Sequence, residues 1–243
     1  MKETIKPASF SAFLASRRTT RDFLPTPIDP KVIDALITDG LTAPSWSNTR
    51  PFMVKVAEGE LRDQISQEML MRWSLLSAAR TGNLWDKLKL VFTWIGLPIS
   101  DYDMTNKYPE ELIGRSRRVG KELYALLEVP RGDAKARDAH WANNYKFFGA
   151  PTVLFIFIHK SLGVHAANDA GLFAENLILS AHSRGLGTCA QGAVALWRGA
   201  IRKYVTVPKN YKLVYGIAIG YPSDDKVNTF QAHRLSPEEI KIQ

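Results

Sequence analysis

The stretch PTVLFIFIH, residues 151–159, holds six consecutive apolar residues between Thr152 and His159. β-branched and aromatic side chains of this kind are enriched in strands, so the stretch predicts a central β-strand over 151–158. A second run, YKLVYGIAIGY at 211–221, has the same character and predicts a central strand over 212–220. These two runs place a β-sheet at the centre of the predicted fold.

Outward from these strands the pattern is mostly helical. FMVKVAE predicts a third strand at 52–57. Apolar spacing predicts helices at about 8–18, 30–42, 59–80, 112–127, 134–146, 166–184 and 197–204. Because helices and strands do not alternate regularly, we expect an α+β sandwich with helices covering a mixed sheet. Glycines and prolines interrupt the segment from about 81 to 111, which we expect to be either an irregular excursion on the substrate side or a plain surface helix.

Length and composition limit the classes of protein to which this chain can belong. With 243 residues, 45% of them hydrophobic, we expect a single domain over 1–243 with a sizeable core. The lone cysteine, Cys189, excludes an intramolecular disulfide and fits a reducing cytosol. The N-terminal stretch lacks an apolar signal core, and Leu88 to Ile99 is too short to span a membrane. We therefore expect a cytoplasmic protein without a membrane partner.

A basic cluster stands in the stretch SRRTTRDF, residues 16–23. Arg17, Arg18, Thr19 and Arg21 offer three guanidiniums and a hydroxyl within five residues. A guanidinium grips phosphate with two parallel hydrogen bonds, so the cluster indicates an anion site. The alternative is a solvated helix end, where cations suit the negative end of the helix dipole. The net charge of +8 also suits nucleic acid, but the other cations are scattered, and we expect no nucleic-acid partner.

Several other classes of site lack their motif. GLGTCA, residues 185–190, fits a dinucleotide-binding pattern but follows a helical run, so it reads as a helix end with Gly185 as the stop. The five histidines show no metal-ligand spacing, and we expect no metal. No His or Asp stands near Cys189, which indicates a structural thiol. We expect no side-chain nucleophile.

A polar loop in APSWSNTRPF, residues 43–52, is either an ordinary turn or a ligand-binding loop. Together with SRRTTRDF it resembles the N-terminal signature of the FMN-dependent nitroreductase family. Counterparts follow in the family's order: FFGAPTVLFIF, NDAGLFAENLILSAHSRGLGTCAQG, YKLVYGIAIGYP and HRLSPEEI. The segment from about 108 to 151 resembles the nitrobenzoate-reductase-like branch. The resemblance implies a three-layer sandwich around a mixed, mainly antiparallel sheet.

The resemblance implies that the phosphate and ribityl chain of FMN are held by the basic cluster. Arg17, Arg18 and Thr19 match the positions that do so in the family. Arg234, near the C-terminus, matches a second phosphate ligand. Many relatives carry another base two residues earlier, where this chain has Ala232.

The resemblance also implies contacts to the flavin ring. Arg21 matches the basic position near the pyrimidine edge, and Asn143 and Lys146 match residues at the polar edge of the isoalloxazine. Gln191 and Gly192 match the place where a backbone N–H points at flavin N5. Cations beside this ring would stabilise the negative charge that two-electron reduction creates.

Family members are homodimers that share their FMN sites. The resemblance implies that Pro44, Ser45 and Asn48 reach the flavin of the partner subunit. The tail from about 222 to 243 would wrap the partner in a domain swap. Arg50 replaces the family's usual glutamine; it would attract an acidic substrate or the 2′-phosphate of NADPH, or else point to solvent.

The implied activity is an FMN-dependent NAD(P)H oxidoreductase. NAD(P)H would reduce FMN, and a nitroaromatic or quinone-like acceptor would then take two electrons. Two alternatives stay open within the same resemblance. One is another flavin reductase, an enoate-type reductase or a dehalogenase of the same fold. The other is a flavin-binding protein without turnover.

Overall fold

A computed structural model describes residues 5–93, 95, 97–103 and 107–242. Its sheet has four strands: β1 (Phe52–Glu58), β2 (Thr152–His159), β3 (Gly187–Gln191) and β4 (Tyr211–Gly220). Their order is β1-β2-β4-β3, and each neighbouring pair is antiparallel. The two strands predicted to be central, β2 and β4, are central. Strand β3 was not predicted, because its sequence GTCAQ has neither aromatic nor β-branched enrichment beyond one threonine.

Eight α-helices lie in the described part of the chain. They are α1 (Pro7–Ser16), α2 (Pro30–Gly40), α3 (Gly59–Thr81), α4 (Leu84–Thr93), α5 (Glu110–Leu126), α6 (Ala134–Trp141), α7 (Gly163–Ser183) and α8 (Arg198–Arg202). Helix α4 lies within the segment 81–111, for which an irregular excursion and a plain surface helix were the two expectations. The helix predicted at 134–146 is shorter in the structure and ends at Trp141. Two short 3-10 turns follow it, Ala142–Asn144 and Phe147–Gly149.

The sheet separates two hydrophobic cores. Along β2, Val153, Phe155 and Phe157 face one core, while Leu154, Ile156 and Ile158 face the other, as the two-residue period of a strand requires. Helices α3 and α8 cover the first face, and α2 and α7 cover the second. The three-layer α+β sandwich predicted from the sequence is therefore confirmed.

The basic segment lies along the outer edge of β3. Thr19 forms a parallel bridge with Thr188, and the Thr20 N–H donates to the Thr188 carbonyl at 2.9 Å. A Cβ atom added to Gly187 would lie 2.8 Å from Cβ of Thr20, so the close approach of the two chains needs glycine there. This pairing fixes the basic cluster at the sheet edge.

The C-terminal tail begins on its own chain. Pro222 bridges Phe23, and the Ser223 N–H donates to the Asp22 carbonyl at 3.1 Å. The Asn228 side chain also bonds to the Asp22 backbone. Residues 222–228 thus contact their own chain, and the wrapping of a partner by the tail stays a prediction.

None of the helices in the described ranges is long and apolar enough to cross a membrane.

Candidate functional site

A cleft of about 430 Å³ gathers three residues that the sequence analysis assigned to the flavin ring. Arg21, Asn143 and Lys146 all line it. Arg62 and Ser66 of α3 also line it, and neither was predicted. Three cations and one carboxylate, that of Asp22, line the cleft, so its lining carries a net positive charge and favours a ligand that carries or gains negative charge.

Arg21 is fixed through its backbone. Its N–H donates to Oδ1 of Asn228 at 2.8 Å, and the Asn228 amide donates to the Asp22 carbonyl at 2.8 Å. The Arg21 guanidinium lies 5.8 Å from the ring centroid of Phe230. Burial lowers its pKa from the usual value for arginine. It nevertheless stays charged at neutral pH, because an arginine pKa starts far above 7.

The segment that carries Asn143 and Lys146 meets the end of β3. Nε2 of Gln191 donates to the Asn144 carbonyl at 2.8 Å, while its Oε1 is buried without a hydrogen-bond partner among the described residues. A buried, unpaired acceptor is costly, so it indicates an interaction that the chain alone does not supply. Gly192 opens the 3-10 helix Gly192–Leu196, where the first N–H groups have no partner within the helix.

A second cleft, of about 240 Å³, lies at the basic cluster. Arg17 and Arg18 line it together with His182 and Asn228, and no Asp or Glu is among its lining residues. Burial and the neighbouring guanidiniums of Arg17 and Arg18 lower the pKa of His182. The imidazole is therefore neutral at pH 7, and Nε2 lies 2.7 Å from Oγ of Ser16. The cleft has the charge and donors that bind a phosphate group.

The tail approaches this second cleft. Nη2 of Arg18 donates to Oε1 of Gln231 at 3.4 Å. Arg234 is exposed and donates to the Ala232 carbonyl at 2.9 Å. Three residues of extended chain span at most about 11 Å, so Arg234 lies within that distance of Gln231.

The loop that carries Pro44, Ser45 and Asn48 lies elsewhere. The Trp46 N–H donates to the Asp169 carboxylate at 2.9 Å, and the Trp46 ring lies 4.2 Å from that of His165. His165 and His182 stand seventeen residues apart in α7, which corresponds to about 25 Å along a helix. One chain therefore does not bring this loop to the basic cluster.

Arg50 is held within this loop. Its guanidinium donates to the Leu41 carbonyl, at the end of α2, at 3.4 Å and also contacts the Asn48 side chain. Ser47, Asn48 and Arg50 have positive φ angles of 48°, 58° and 44°. A loop with three such residues has a defined and strained shape, as is common at binding sites.

The described residues contain no group of three or more His, Cys, Asp or Glu able to hold a metal. Cys189 is buried in β3, and burial raises the pKa of its thiol to about 11. A protonated, buried thiol is a poor nucleophile.

Comparison with known proteins places the chain among nitroreductases. The model of the nitroreductase family matches residues 14–221. A 4-nitrobenzoate reductase of Pseudomonas putida is 34% identical over 226 residues, covering 93% of this chain and 91% of that protein. A chloronitrobenzene nitroreductase of Comamonas testosteroni is 25% identical, covering 93% of each chain.

A solved structure is similar over the same extent. It is the FMN and NADPH-dependent nitroreductase NfnB from Sphigopyxis sp. strain HMH, with a TM-score of 0.83, 26% identity and coverage of 96% of this chain and 97% of that one. The family model thus matches most of the chain, and the reductase of Pseudomonas putida is similar to it over nearly its whole length. This chain belongs to the nitroreductase family.

Proposed function

We propose that the protein is an FMN-dependent NAD(P)H oxidoreductase that reduces nitroaromatic or quinone-like acceptors by two-electron transfer. Relatives named for reduction of 4-nitrobenzoate and chloronitrobenzene span nearly the whole chain. The structural neighbour of 26% identity is described as FMN and NADPH-dependent. The single cysteine, which is buried, is compatible with a reducing cytoplasm.

The observation that carries this proposal is the pair of electropositive clefts on one short segment. Arg17 and Arg18 line the smaller cleft, and Arg21 lines the larger one. Four residues of extended chain span at most about 14 Å, so the clefts are close neighbours. A phosphate in the smaller cleft and a polar ring edge in the larger one match the two ends of FMN. Gln191, whose Oε1 is unpaired, bonds to the Asn144 carbonyl next to Asn143.

FMN supplies two-electron redox chemistry when bound, so the chain needs no nucleophile of its own. Arg17 and Arg18, with Thr19, bind the phosphate. Arg21 and Lys146 stabilise negative charge at the ring edge, because fixed cations in a partly buried cleft act more strongly than in water.

Asn143 orients the ring through its amide. The exposed backbone at Gly192 offers an N–H toward the reacting face. Arg234 adds a second cation near the phosphate. These residues bind and orient, whereas Thr20 and Asn228 hold the segment that carries them.

The working unit in this proposal is a homodimer with shared sites. The loop with Pro44, Ser45 and Asn48 is anchored at Asp169, thirteen residues or about 20 Å along α7 from His182 at the basic cluster of its own chain, so it is placed to serve the site of another chain. Exchange of the tail between subunits concerns the residues beyond Gln231, since Asn228 and Gln231 are bonded to their own chain.

The test is the visible absorbance of the purified protein, followed by release and identification of its chromophore. We expect stoichiometric FMN that is bleached by NAD(P)H without oxygen and recovered on addition of 4-nitrobenzoate. Bound FMN that no acceptor reoxidises after reduction by NAD(P)H would favour a binding protein without turnover. A protein that stays colourless with added FMN would contradict the proposal.

A further inference from the structure

Three consecutive carbonyl groups beside the larger cleft are held by side chains. The Asn144 carbonyl accepts from Gln191 at 2.8 Å, and the Tyr145 carbonyl accepts from the Ser66 hydroxyl at 2.7 Å. The Lys146 carbonyl accepts from Nη2 of Arg62 at 3.2 Å. Side-chain donors from α3 and β3 thus fix the backbone on which Asn143 and Lys146 stand.

The α3 donors lie on one face of the helix. Arg62 and Ser66 are four residues apart, which places them on adjacent turns of the same face. Further along α3, Nε1 of Trp73 donates to the Asp138 carbonyl at 3.1 Å, and Ser77 donates to the Asp138 carboxylate at 2.6 Å. One helix therefore holds both ends of the segment from Asp138 to Lys146.

A strained turn follows the held carbonyls directly. Phe147 and Phe148 have φ angles of 54° and 53°, in the left-handed region that bulky side chains avoid. Such residues are strained and persist only where their surroundings determine the backbone conformation. Both rings are buried in the core. A turn kept in this state gives Lys146 a defined place at the cleft.

We propose that Ser66 and Arg62 are positioning residues for the flavin ring: they set where Asn143 and Lys146 enter the cleft. The inference rests on the proposed function. Lysine has a flexible side chain, so the position of its charge relative to the ring depends on where its backbone is held. Loss of the Ser66 hydrogen bond would let the backbone at Tyr145 and Lys146 shift, and the attraction to a reduced, negatively charged ring would weaken with distance.

The experiment compares Ser66→Ala with Ser74→Ala. Ser74 lies on the same helix, is exposed and donates only to the Met71 carbonyl of its own turn, so its removal is a matched control. Apoprotein is titrated with FMN to obtain Kd, and the midpoint potential of the bound flavin is measured. For Ser66→Ala we expect a three- to tenfold higher Kd and a more negative potential. For Ser74→Ala and for Ser66→Thr, which keeps the hydroxyl, we expect wild-type values.

Arg62→Lys provides a second route if Ser66→Ala does not fold. It keeps the positive charge but loses the planar donor set, and we expect a more negative potential. Wild-type potentials in both variants, or equal effects in Ser66→Ala and Ser74→Ala, would overturn the inference while leaving the proposed function intact. Failure of the wild-type protein to bind FMN would instead overturn the proposed function.

Discussion

At the scale of single residues, Cys189 gives a sharp chemical expectation. Only the thiolate is nucleophilic, and burial raises the pKa of Cys189 to about 11, although the Arg21 cation opposes that rise. At pH 8 the folded protein therefore holds very little thiolate, whereas an unfolded cysteine with a pKa of about 8.5 holds roughly a quarter. We expect iodoacetamide to modify the folded protein at least about a hundredfold more slowly than the unfolded chain, as measured by intact mass against time.

Cys189→Ala tests the same point by function. We expect NAD(P)H-dependent turnover to be retained, since no step uses the thiol. Rapid alkylation of the folded protein, with loss of turnover in step with modification, would show that Cys189 is reactive and contradict its structural role.

Individual residues of the cleft differ in whether the sequence alone identifies them. Arg21, Asn143 and Lys146 were predicted through motifs, and the structure places all three in one cleft. Ser66 and Asn228 were not predicted, because their partners are backbone atoms 79 and 207 positions away. A single serine within a helical pattern carries no local signal of such a bond.

At the scale of elements, the predictions succeeded where apolar patterning was strong. Strands β2 and β4 are confirmed within a residue or two. Strand β3 is determined by tertiary pairing instead: it bonds to β4 on one side and to Thr19 and Thr20 on the other. A short run of small residues becomes a strand through such partners, which no local propensity encodes.

The segment after α4 shows a second tertiary anchor. The Asp101 carboxylate is 3% exposed and accepts from Arg198 at 2.7 Å and from the Leu213 N–H at 2.9 Å. Burial alone raises its pKa, but the Leu213 N–H and the guanidiniums of Arg198 and Arg202 outweigh burial, and the net pKa lies below the ordinary value. Asp101 thus anchors the segment that follows α4 to α8 and β4.

Asp101→Asn should lower the free energy of unfolding by about 2 kcal/mol at pH 7, because the ion pairs are lost from a buried site. A carboxylate with a lowered pKa stabilises the fold above about pH 4, and the effect disappears as pH falls through the folded-state pKa. The difference between wild type and variant should therefore shrink below pH 4. Urea unfolding at pH 7, 5 and 3.5 measures it.

Asp34→Asn is the matched control for this prediction, since Asp34 is exposed on α2. We expect it to leave stability within about 0.5 kcal/mol of wild type. An equal loss in the two variants, or a difference for Asp101→Asn that is independent of pH, would show that the Asp101 ion pairs do not stabilise the fold as argued.

At the scale of the whole molecule, α7 separates two parts of one proposed site. Its N-terminal half carries Asp169, which holds the loop with Ser45 and Asn48. Its C-terminal end carries His182, beside Arg17 and Arg18. Local motifs identified both parts but could not place them, because the distance between them depends on a helix of 21 residues packed across the sheet. In the proposed dimer, the two parts form one site because they come from different chains.

Subunit complementation tests this arrangement. Arg21→Ala damages the ring cleft, and the double variant Ser45→Ala with Asn48→Ala damages the loop, so each homodimer should lose most of its turnover. In a hybrid dimer purified through two different tags, both defects fall in one site and the other site is intact, since a twofold axis pairs each cleft with the partner's loop. We expect the hybrid to recover about half of the wild-type turnover per dimer. A hybrid no more active than the two parent variants, or a loop variant with full activity, would show that each site is built from a single chain.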